Sequence, residues 1–141
     1  MPAAPPRDAS GKVIPHNHAE ILDQHHVIRH TTPHDVCRNV DTGSHRLSSG
    51  AYSESTEGGM SVDIEEWMVA DGLDPLAYVT DPTHGAVRVN VGELRARGFQ
   101  VGWDPVDANP HHAEVWGISN SKRRRKIAEI AQTLRKTEGE D

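Results

Sequence analysis

The chain has 141 residues, 35% of them apolar and only 4% aromatic, with a formal net charge of −6 and one cysteine. That length suits one domain with a thin core, and no run nears the roughly 18 apolar residues a membrane span needs. The acidic balance argues against a general nucleic-acid binder, and the lone Cys37 excludes an internal disulfide and suits a reducing cytoplasm.

The charge is uneven. Residues 119–141 carry 7 basic and 4 acidic side chains, whereas residues 1–118 carry 8 and 17. Residues 1–12 hold three prolines and no apolar periodicity, so a disordered arm is expected, without the apolar segment of a secretory signal. Residues 13–34 are rich in histidine. Ala19 to Gln24 is expected as a short helix. His26 to His30 is expected as a strand that Thr31-Thr32-Pro33 ends.

Asp35 to Gly43 reads as a loop and His45 to Tyr52 as a strand. Glu54 to Gly59 reads as a mobile loop. Asp63 to Ala70 shows helical spacing, with Ile64, Trp67 and Met68 on one stripe and Ser61 as a cap. Pro75 to Val79 is expected as a brief helix. Val87, Val89 and Val91 alternate with polar residues, the pattern of a strand over 86–91. A short helix over 92–97 and a strand over 99–103 follow.

The turn Asn109-Pro110 leads into a further strand, on which His112, Glu114 and Trp116 share one face. Ser121 caps a helix expected to reach Lys136, with Ile127, Ile130, Ala131 and Leu134 as its apolar side; residues 137–141 fray. The order predicts an α+β fold for residues 13–136. It would have a small mixed or mainly antiparallel sheet, short helices and a C-terminal amphipathic basic helix.

Three groups of residues point to chemistry. Arg29 and His30 end an early strand, where a guanidinium can fork onto a phosphate or carboxylate. Arg46, Ser48, Ser49 and Tyr52 offer a cation, hydroxyls and a ring for a ribose or a flat base. Glu114 and His112 form a carboxylate–imidazole pair fit for general acid–base work. The bland alternatives are a solvent-facing edge, local backbone satisfaction and a polar strand face.

In the histidine-rich segment, which ends near Cys37, no pair has the spacing of two ligands on one helix face, so no metal is expected. His16-Asn17-His18 shares its letters with a nuclease motif, but lacks that motif's ββα surroundings. Lys122 to Lys126 puts five cations at the unfavourable end of a helix. The acidic body, a protein partner or a phosphate must offset them, and the body is the simplest answer.

The segments Arg46 to Tyr52, Met60-Ser61-Val62-Asp63 and Asn109 to Val115 resemble a group of small bacterial proteins. That group shares a Ser-Ser-x-Ala-aromatic segment, a Met-Ser-Val-Asp segment and an Asn-Pro-x-His-Ala motif before a basic helix, and has no established activity. The order of arginine strand, serine strand and late glutamate also resembles ADP-ribosyltransferase-like folds, including NAD-degrading toxins of the RES type.

That resemblance implies that Arg29 holds a nucleotide phosphate, Ser48 or Ser49 supports a ribose and Glu114 is catalytic, with NAD as substrate. The chain departs from the family in having Ser-Ser for Ser-Thr-Ser, and in having no glutamate at 112 or 116. His30, His112 and His26 would instead suit RNA 2′-phosphate transfer on a related fold. The competing functions are an accessory binding protein that uses its basic helix, and a metal-dependent nuclease.

Overall fold

A computed structural model describes residues 2–56 and 58–141; Met1 of the expected arm and Glu57 of the expected loop lie outside them. The strands are β1 (His26–Thr31), β2 (Val36–Arg38), β3 (His45–Leu47), β4 (Met60–Ile64), β5 (Gly85–Asn90), β6 (Gln100–Trp103), β7 (His112–Trp116) and β8 (Gln132–Arg135). The helices are α1 (Glu65–Ala70), α2 (Val91–Ala96) and α3 (Ser121–Ala128). Six strands form one antiparallel sheet in the order β6-β7-β4-β1-β5-β8, and β2 and β3 pair separately. This is an α+β fold.

The sheet is two-sided because its strands alternate. Val27, Val62, Ile64, Val87, Val89, Ala113 and Val115 point to one face and pack with Leu94, Phe99 and Ile127 from the α2 and α3 side. The other face has a smaller apolar patch of Ile28 and Ala86 under Met68 and Val79. The rest of that face carries His30, Asp63, His112 and Glu114 of the candidate site, whereas Arg29 leaves β1 on the Val27 side and reaches the site through the gap beside β4.

Several expected elements differ. Helix α1 starts at Glu65, not Asp63. Met60, Val62 and Ile64 are buried at alternate positions and pair as β4 with β7, so a strand period runs into the helical stripe. The expected strand over 45–52 stops at Leu47. Ser49–Tyr52 is a 3-10 turn that drives Ala51 and Tyr52 into the core. Within the expected loop over 35–43, Val36–Arg38 is a strand paired with β3.

The C-terminal helix ends at Ala128, and Gln132–Arg135 pairs with β5 instead. Pairing covers an edge that β5 would otherwise leave bare, and this outweighs the helical spacing of Leu134. Residues 19–24 and 75–78 form turns rather than helices.

Both ends of the chain make defined contacts. Asp8 Oδ1 accepts from Ser10 N and Lys12 N, Arg7 bridges to Val13, and His18 Nε2 lies 2.7 Å from Ala3 O. At the other end, buried Thr137 bonds to Thr31 at 2.6 Å, and Asp141 reaches His45 N.

Candidate functional site

The site is built on β7, which lies between β4 and β6. The Asn109-Pro110 turn aims the strand, with Asn109 Oδ1 accepting from His111 N at 2.9 Å. Ladder register sets Glu114 opposite Ser61 on β4 and Gly102 on β6, and His112 opposite Asp63. The shared face of His112, Glu114 and Trp116 is therefore real. Strand β7 passes so close to Gly59 that a Cβ there would stand 2.6 Å from Val115 O and 2.8 Å from Glu114 Oε2.

Just past β6, Asp104 completes a tight group. Donor atoms of Asp104, His112 and Glu114 all lie within 4.8 Å of one another. His112 Nδ1 donates to the Asp104 carbonyl at 2.7 Å, which leaves Nε2 as the basic nitrogen. Burial, then the Asp104 charge and a hydrogen bond with it, push the Glu114 carboxyl up to about 7; the Gly59 N–H and Lys12 pull back in part. Glu114 Oε2 is buried with no hydrogen-bond partner among the described residues. Two carboxyls this close favour holding one proton between them.

Glu114 and Asp104 open into a cavity of about 330 Å³ that Arg7, Lys12, Ser55 and Trp116 help to line. Beside it, a depression of about 220 Å³ is lined by Arg29, His30, Asp63, Tyr78, Asn109 and His112. Pairing of β1 with β4 stops after Ile28–Asp63, and Arg29 fills the gap. Its Nε donates to Ala51 O and its Nη1 to Ser61 O, both at 3.0 Å. Burial lowers its pKa below the usual guanidinium value, while the charges of Asp35, Glu114 and Tyr52 oppose that shift. A guanidinium stays charged through such a shift.

His30 Nε2 lies 3.1 Å from Asp63 Oδ2, and Asn109 Nδ2 donates to Asp63 Oδ1 at 2.6 Å. A further chain runs from Tyr78 OH to His111 Nδ1 at 2.8 Å, and from His111 Nε2 to Asp71 at 2.6 Å.

The other expected site residues lie elsewhere. Arg46, Ser48 and Ser49 line a separate groove of about 500 Å³ with Cys37 and Arg125. Tyr52 is buried in the core, and burial, followed by the charges of Glu140 and Asp35, pushes its phenol up to about 12. The expected meeting of Arg29, a Ser48 or Ser49 hydroxyl and Glu114 in one cavity is thus not formed. The early histidines disperse as well. His16 packs 5.3 Å from Trp116, His18 packs against Trp67 and Trp103, and His26 pairs with Glu66 at 2.8 Å.

His26, Glu65 and Glu66 form a second group of close donors, but Arg88 already engages Glu65 through two bonds. Asp63, Asp104, Tyr78, Asn109 and His111 were not anticipated as site residues. The alternation of Met60 to Ile64 was the available signal for Asp63.

No protein-family model, curated protein or solved structure matches the chain.

Proposed function

We propose that the protein is an enzyme that cleaves a bond at the ribose of a small phosphate-bearing nucleotide. Glu114 and His112 handle charge and protons, and Arg29 holds the phosphate. The observation that carries this reading is the Glu114 carboxyl, raised to about 7 beside Asp104 and one strand position pair from a histidine with a free basic nitrogen. A neighbouring depression supplies the cation.

NAD is the substrate to test first, because the resemblance to ADP-ribosyltransferase-like folds names it. In that reaction the C–N bond to nicotinamide breaks, and its electron pair leaves with the neutral ring. The carboxylate pair stabilises the oxocarbenium-like centre left at the ribose. Water then bonds to that carbon and gives its proton to His112 Nε2. Ser48 and Ser49 have no part in this scheme, since they line another groove. Incubation with NAD should release free nicotinamide, and Glu114→Gln should abolish the release. No release by folded protein would count against the reading.

One observation favours a second reading. His30 and His112 line the same depression as Arg29, an arrangement of two imidazoles and a cation suited to phosphate transfer. An RNA bearing a 2′-phosphate, incubated with NAD, would lose that phosphate if this reading holds.

A further inference from the structure

The basic run 122–126 was expected to be neutralised by the acidic body. Among the described residues, Lys122, Arg124, Arg125 and Lys126 form no ion pair; the salt-bridged arginines are Arg88 and Arg95. Arg123 is occupied differently, bonding to Gly117 O and Arg97 O while stacking on Phe99. Arg124 Nε is buried with no acceptor.

These cations do not stand alone. Helix α3 packs beside the Ser49–Tyr52 turn, and the β2–β3 hairpin sets Arg46 opposite Cys37. Between them runs the groove of about 500 Å³, lined by Arg46, Ser48, Ser49, Arg125 and a single acid, Glu129. Arg46 and Arg125 make no side-chain bond among the described residues, and neither do the two serine hydroxyls.

We infer that this groove binds the phosphate backbone of a single-stranded nucleic acid. Guanidinium forks and hydroxyl donors match phosphate oxygens. A protein partner of comparable affinity would want a buried aromatic or large aliphatic anchor, and the groove offers only Leu47 and Ala128. The net charge of −6 does not oppose this, because the groove itself carries two cations, Arg46 and Arg125, against one acid, Glu129. The inference does not depend on what the Glu114 cavity does.

The test is fluorescence anisotropy of the full chain with a labelled single-stranded RNA or DNA of about 20 nucleotides across a salt series. Binding should weaken steeply with salt. Arg46→Gln with Arg125→Gln should weaken it about tenfold or more and lower the salt slope by about 2. Both side chains are exposed, so the fold should survive, which circular dichroism checks. Glu129→Gln should tighten binding about twofold, a gain that misfolding cannot mimic. Absence of salt-sensitive binding, an affinity unchanged in the double variant, or equal competition by polyglutamate of matched charge would overturn the inference.

Discussion

Asp63 stands between two partners: Oδ2 is 3.1 Å from His30 Nε2, and Oδ1 accepts from Asn109 Nδ2 at 2.6 Å. Strands β1 and β4 and the turn before β7 are thereby tied at one carboxylate that is 5% exposed. Removing it with Asp63→Ala leaves the Asn109 amide without its acceptor and takes away the charge beside His30 Nε2, which is itself buried without a hydrogen bond among the described residues. The expected cost is about 1–3 kcal/mol of stability, read from urea unfolding. A loss near zero would mean that water takes over as acceptor for the Asn109 amide.

Glu114 gives a pH signature. Its carboxyl keeps a proton up to about 7 in the fold, against an ordinary value of 4.5. A group whose folded pKa is raised lends stability below its unfolded pKa and loses it as pH climbs through the folded value. The native protein should therefore lose stability between about pH 5 and pH 8 relative to Glu114→Gln, whose amide does not ionise. Urea midpoints of the two proteins at each pH check this, and parallel midpoints would refute it.

Gly59 is placed by contact rather than by backbone angle. A methyl there would press on Val115 O and Glu114 Oε2. Gly59→Ala should cost about 1–3 kcal/mol and displace the Glu114 carboxyl. It should therefore lower activity beyond the effect of stability alone, as turnover measured well below the melting temperature would reveal.

Deleting residues 137–141 removes the buried Thr31–Thr137 bond, the Glu138 N to Thr83 O bond and the Asp141 contact to His45. A frayed tail would be dispensable. The contacts predict instead a loss of about 1–3 kcal/mol, with Thr31 left unpaired in the core, and thermal unfolding of the truncated chain measures it.

What the sequence made legible is local. Val87 and Val89 alternate with Arg88 and Asn90, and β5 is a strand. His112 and Glu114 alternate with Ala113 and Val115, and they share a face as that period requires. What it hid depends on partners distant in the chain. Leu134 has helical spacing from Ile127, yet the bare edge of β5 draws it into β8. Asp104 reaches His112 and Glu114 only through the β6–β7 register, and Asp63 meets His30 only across the β1–β4 ladder. The pattern of Arg46, Ser48 and Ser49 suggested a ribose support. The Ser49–Tyr52 turn carries those hydroxyls to the α3 side, where they meet Arg125 instead of Glu114.

Chromatographic measurement of free nicotinamide, after incubating NAD with the native chain and with Glu114→Gln, bears most directly on the central claim. The native protein should release nicotinamide, and the release should fall at least about a hundredfold in the variant, as expected when a charge aimed at the transition state is removed. Folded native protein that releases no nicotinamide, or a variant that releases it at the native rate, would contradict the account.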